Sequence, residues 1–133
     1  MEGWVWVQPR KVLEPRLSRG QLFFFEKYGG SWFDEIRATA EVILRGDLIV
    51  LAEAEAGHVR GYGRFAGSDV GISKQKRERC ANVYLEGFQR VGDGPKLALR
   101  PNERQVFRRL SEEDLLALAE ILSESNPGYG SQL

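Results

Sequence analysis

The stretch RGDLIVLAEAEAGHVRGYGRFAG, residues 45–67, decides how the chain folds. Its first half, DLIVLAE (47–53), is an unbroken apolar run, the mark of a strand covered on both sides. AEAGH turns the chain and HVRGYGRFAG returns it, so the pair reads as a β-hairpin. The returning strand carries Gly61 and Gly63 on either side of Tyr62. Glycine inside a strand marks a bulge, a tight bend or the close approach of another group. Two readings follow. Bent sheets and barrels turn corners at such glycines, or the missing side chains leave room for a ligand beside Tyr62.

Upstream, GWVWVQP (3–9) places Trp4 and Trp6 on one face and Val5 and Val7 on the other, the period of a strand. RKVLEPRLSRG (10–20) is basic and broken by Pro15, and reads as a loop. QLFFFEKYGG (21–30) is a short aromatic strand ended by two glycines. Ser31 opens a capping box with Asp34. The helix that follows, about 32–44, shows a core face of Phe33, Ile36, Ala40 and Ile43 at helical spacing. Trp32 lies at the edge of that stripe.

Downstream, 68–80 is polar and NVYLEGFQRV (82–91) is a strand. GDGP (92–95) is a turn. KLALR and QVFRRL are short strands, or one strand and a 3₁₀ turn. Ser111 with Asp114 forms a second capping box, and a helix over 112–123 buries Leu115, Leu118, Ala119 and Leu122. The order predicts an α+β fold: a small bent sheet or β-barrel flanked by two or three helices. It occupies a single domain, 1–123. Residues 124–133 have the composition of a tail or linker, which suits a module of a longer chain.

Composition narrows the chemistry. The 133 residues are 42% hydrophobic and 29% charged, an ordinary globular usage. The 19 basic and 19 acidic residues cancel, so steering of a charged partner has to come from local patches. Cys80 and His58 are each alone of their kind, which leaves no disulfide and no Cys- or His-based metal cluster. No cofactor and no metal is expected. No apolar run is long enough for a bilayer and no signal-peptide pattern opens the chain, so the expected location is cytoplasmic.

The apolar strand opened by Gly46-Asp47, the strand VRGYGRFAG, the opening WVWV and the ending RQVFRRLSEEDLLALAEIL occur in an order that resembles the PUA-like superfamily, in particular its EVE, YTH and ASCH branches. VQPR after the first strand and the aromatic LFFFEKYGG depart from the pattern of those domains. The resemblance implies a non-enzymatic nucleic-acid-binding module that recognises a modified base, such as a methylated one, flipped into an aromatic pocket. DNA is favoured over RNA. A specific version is the DNA-recognition domain of a McrB-type modification-dependent restriction system, with a motor or nuclease domain on the same or another chain. The alternatives are a small ASCH-like hydrolase of a modified nucleoside, resting on a Lys/Glu/Thr constellation, an RNA-binding domain, or a protein-interaction domain.

A flipped base needs an aromatic wall and polar groups for its edge. Stacking on one ring restores about 1–3 kcal/mol per base. The candidate rings are Trp32, Trp6, Trp4 and Tyr62, with core packing the competing reading for Trp4 and Trp6. Phosphate contacts would supply most of the affinity. Candidates are Lys74, Lys76, Arg77 and Arg79 in a dense basic segment, and Arg60 and Arg64 on the glycine strand. A second cluster, Arg10, Lys11, Arg16 and Arg19, stands in reserve. A solvated charged face is the competing reading. No catalytic residue is assigned. RGD (45–47) closes a helix and opens a buried strand, and Asp47 reads as a turn residue.

Overall fold

The alternation of the first strand divides the core in two. The computed structural model describes residues 2–73, 77–92, 94–99 and 104–125, with 120–125 described by backbone alone. Strand β1 (Gly3–Gln8) sends Trp4 and Trp6 into one apolar layer and Val5 and Val7 into the other. Strand β3 (Leu48–Glu53) divides in the same way. Ile49 and Leu51 join the tryptophans, while Leu48, Val50 and Ala52 join the valines. The unbroken apolar run is therefore a strand covered on both faces, as its sequence predicts.

Between β1 and β3 lie helix α1 (Arg10–Arg19), strand β2 (Gln21–Phe25), a 3₁₀ turn (Glu26–Tyr28) and helix α2 (Gly30–Val42). After β3 come strand β4 (Val59–Ile72), strand β5 (Arg79–Arg90), strand β6 (Val106–Arg109) and helix α3 (Glu112–Ser125). The strands form one sheet in the order β2-β5-β4-β3-β1-β6. β1 and β3 run parallel, and the other neighbours are antiparallel. A parallel pair needs a long crossover, which the α1–β2–α2 segment supplies. The described strands leave β2 and β6 as edges, so the sheet is open; the closed-barrel alternative does not hold. The hairpin of β3 and β4 pairs Val50 with Tyr62 and Leu51 with Gly61.

Residues 10–20 are a helix, where the sequence reads as a loop. Only Leu13, Arg16 and Leu17 of α1 are buried, a stripe too narrow to show among the charges. Pro15 removes one helical hydrogen bond, and burial of that stripe outweighs the loss. Gly20 ends the helix in the left-handed conformation (φ 63°), donating its N–H to the Arg16 carbonyl at 2.8 Å.

Two further expectations change. α2 begins at Gly30 with Gly29 as its N-cap, and no side chain caps it, so the Ser31–Asp34 box does not form. The Ser111 cap does form, with the Asp114 N–H donating to Ser111 Oγ at 3.1 Å. The polar stretch 68–80 is strand at both its ends. β4 continues to Ile72 and β5 starts at Arg79, but Val70 and Ile72 are exposed. With Cys80 the only buried side chain among the described residues there, the alternation that betrays a strand is missing.

The glycine strand makes room for protein. A Cβ on Gly61 would stand 2.9 Å from Phe88 Cζ and 3.2 Å from the Gln89 carbonyl oxygen. One on Gly63 would stand 3.2 Å from both Leu85 Cβ and the Glu86 carbonyl oxygen. The β4–β5 register shifts between Tyr62 and Arg64 and again between Phe65 and Gly67. Bulge and close approach thus coincide, and the group that approaches is Phe88 of β5.

Candidate functional site

Three of the four candidate rings are packing elements. Trp6 is fully buried and meets Phe107 and Trp32 edge-on, with centroids 5.3 and 5.4 Å away. Its indole N–H donates to Gln8 Oε1 at 2.7 Å. Trp4 is buried and donates to Asp47 Oδ2 at 3.2 Å, while the same oxygen accepts the Leu44 N–H at 3.1 Å. Asp47 is thus a turn residue that also orients Trp4. Tyr62 is buried in the opposite layer, with Val50 and Leu97. None of the three offers a face to a stacked base.

Trp32 is different, and not in the way its sequence position implies. It belongs to the core face of α2 together with Phe33, Ile36 and Ala40. Residues 32 and 36 are i and i+4, so the stripe is wider than Phe33 and its repeats define. Only 7% of Trp32 is exposed. Yet the residue also borders an open cleft at the N-terminus of α2, about 810 Å³ in volume, with Tyr28, Ser31, Asp34, Glu35 and Gln105 among its walls. Its indole N–H is buried and has no hydrogen-bond partner among the described residues. An unmet buried donor costs about 1–3 kcal/mol. Trp32 therefore carries a donor that no other described residue uses.

The other walls suit a polar, flat ligand. Tyr28 is 63% exposed and follows the aromatic strand β2, its ring 6.3 Å from Phe25. Asp34 and Glu35 supply carboxylate acceptors on the first turns of α2. Glu35 is an exposed residue, yet its carboxyl is desolvated enough to be pushed above its ordinary value of 4.5. Gln105 brings an amide that both donates and accepts. A second cavity of about 380 Å³ adjoins the cleft through the shared residues Tyr28 and Gln105. Val12, Arg16, Phe23, Phe24 and Phe25 complete its lining.

The candidate phosphate contacts that are described do not form one surface. Lys74 and Lys76 lie outside the described residues. Arg77 is exposed. Arg79 donates to Glu26 Oε2 at 2.9 Å. Arg60 lies 3.9 Å from Glu53 Oε2, and Arg64 donates to the Gly46 carbonyl at 2.7 Å. Arg79 pairs with Ile72 at one end of β4, whereas Arg60 begins the other, beside the Gly61–Arg90 pair. Strands of that length hold the two groups far apart. Arg10, Lys11 and Arg19 are exposed on α1, the helix that also places Arg16 in the second cavity.

The residues that sequence reasoning missed are Tyr28, Asp34, Glu35 and Gln105. Asp34 reads as a capping residue, and Tyr28 reads as the tail of an aromatic strand. Gln105 is distant in sequence and carries no signal of its own. Among the described residues no three His, Cys, Asp or Glu side chains group as a metal site, and no described helix is long and apolar enough to cross a membrane.

No family model matches the chain, and no curated protein matches it. Solved structures do. Rpa0253 from Rhodopseudomonas palustris, a structural genomics target, superposes with a TM-score of 0.52 at 11% identity, covering 89% of this chain and 92% of that one. A Pseudomonas putida protein, also a structural genomics target, gives a TM-score of 0.53 at 10% identity, covering 90% and 98%. At such identities the likeness concerns the fold alone.

Proposed function

We propose that this domain is a non-enzymatic nucleic-acid-binding module that holds a modified base, such as a methylated one, in the cleft at the N-terminus of α2. The reading rests on the resemblance of the strand motifs to PUA-like domains of the EVE and YTH type. The observation that carries it is that Trp32, whose buried indole N–H has no hydrogen-bond partner among the described residues, borders a cleft that also holds Tyr28, Asp34, Glu35 and Gln105. A base presents ring faces to aromatic side chains, and donors and acceptors along its edge. Tyr28 supplies a face that is accessible. Once the ligand displaces the atoms that cover it, the indole N–H supplies a donor for a ring nitrogen or carbonyl, and the carboxylates accept from an exocyclic amine. DNA is the favoured strand, and a role in restriction or defence follows from the McrB-type resemblance. The hydrolase alternative calls for a lysine and a threonine beside the glutamate. The described lining of the cleft holds neither, so binding is preferred to turnover.

Trp32→Phe tests the reading cleanly. It keeps a ring in the core and deletes the N–H. No internal bond is lost, so the melting temperature stays within a few degrees of wild type. Affinity for an oligonucleotide with the recognised methylated base falls by about tenfold, the worth of one hydrogen bond of about 1.4 kcal/mol. Equal affinity of wild type and variant across a panel of methylated-adenine and methylated-cytosine duplexes and single strands contradicts it.

A further inference from the structure

Arg16 is a buried cation with no counter-charge among the described residues. It is 6% exposed. Its Nε and Nη2 groups donate to the Phe23 carbonyl and Nη1 donates to the Val12 carbonyl. The Phe23 ring lies 4.5 Å from the guanidinium carbon. No carboxylate is within ion-pair distance of it among the described residues. Burial lowers its pKa to about 10, so it keeps its proton at neutral pH. The neighbouring Cys80 thiol is pushed up by burial and stays neutral there. A buried charge with only carbonyl partners is costly, and a guanidinium carries more N–H groups than these bonds engage. This one forms part of the wall of the cavity between α1 and β2.

We infer that this cavity takes a phosphate group of the bound strand, next to the base held in the adjoining cleft. The inference rests on the function proposed above and adds a direction to it. Asp34 and Glu35 make the base side acidic, so a phosphate is repelled there. Arg16, backed by the exposed Arg10, Lys11 and Arg19 on the same helix, makes the other side cationic. Tyr28 and Gln105 belong to both spaces, which are thus contiguous. A guanidinium matches phosphate oxygens in geometry as well as in charge.

The test uses the whole chain at low ionic strength. Oligonucleotides carry the methylated base, with an ordinary phosphodiester or an uncharged methylphosphonate at each flanking position in turn. Affinity is measured together with the NMR signal of the Arg16 Nε–H. One methylphosphonate position is expected to lower affinity by about tenfold to a hundredfold, as for loss of a charged hydrogen bond. The ordinary strand shifts the Arg16 Nε–H. Val12→Glu places a carboxylate one helical turn before Arg16, a favourable pairing on a helix. It is expected to erase the methylphosphonate effect while the domain stays folded. Discrimination of the methylated base with no methylphosphonate effect at any position overturns the inference and leaves the base-binding reading intact. Binding of inorganic phosphate at Arg16 with no binding of any oligonucleotide makes the cavity a free-anion site, and overturns both.

Discussion

The β3–β4–β5 hairpins and the α1–β2–α2 crossover are opposite kinds of structure. In the hairpins the conspicuous feature is glycine, and it serves packing: Phe88 occupies the space beside Gly61, and Tyr62 is sealed into the core. In the crossover nothing is conspicuous, yet it holds an indole N–H with no acceptor and a buried guanidinium with no carboxylate among the described residues, and an exposed tyrosine, around two adjoining cavities. Unmet polar groups mark a candidate site here better than missing side chains do. A glycine records what its neighbours need, whereas a buried donor without an acceptor records what the fold itself does not supply.

The largest effect that can break this contrast is in the core. Trp6→Ala removes a fully buried ring and is expected to cost about 3–5 kcal/mol of stability in chemical denaturation. A neutral result would return Trp6 to the candidate pocket. Gly61→Ala comes next. The added methyl meets the Phe88 ring, and overpacking of this kind costs about 1–3 kcal/mol. Phe88→Leu in the same chain is expected to recover part of that loss in a double-mutant cycle, because the two sites are in contact. Strict additivity would show that Phe88 is not what excludes a side chain at 61.

Smaller effects sharpen the other side. As an acceptor, Glu35 has to be ionised. Its carboxyl is raised by desolvation, so affinity for an amine-bearing base is expected to fall as pH drops through a value above 4.5, and Glu35→Gln should flatten that step. The sign for stability is opposite. A carboxyl raised on folding favours the protonated form, so its small contribution to the fold is present at low pH and is lost as pH rises through the folded value. A pH-independent affinity in wild type would remove Glu35 from the site. Smallest of all, Arg10→Ala with Lys11→Ala is expected to lower the slope of log affinity against log salt by about 0.9 per lost phosphate contact, equally for methylated and plain strands. An unchanged slope would place the backbone path away from α1.

The same contrast explains what the sequence made legible. The alternation in WVWV, the double-sided run LIVLA and the Ser111 cap are local signals, and each became the element it predicts. α1 was hidden because Pro15 and four cations outweigh Leu13 and Leu17 in any reading of the segment, although those two leucines decide its structure once buried. The parallel pairing of β1 and β3 was hidden because pairing depends on the crossover between them. The site was less legible than the fold. Trp32 could be singled out as a scarce ring, but Gln105 joins it in the cleft, and Arg16 the adjoining cavity, only in three dimensions and from different segments.

The proposed function puts the ligand at the crossover and not along the glycine strand. Mapping backbone amide shifts on titration with a methylated-base oligonucleotide tests it most directly. The largest shifts are expected on Tyr28 to Glu35 and on Gln105, with Arg60 to Arg64 and Phe88 unmoved. Shifts concentrated on 60–64 and 85–90, with the N-terminus of α2 silent, would contradict it.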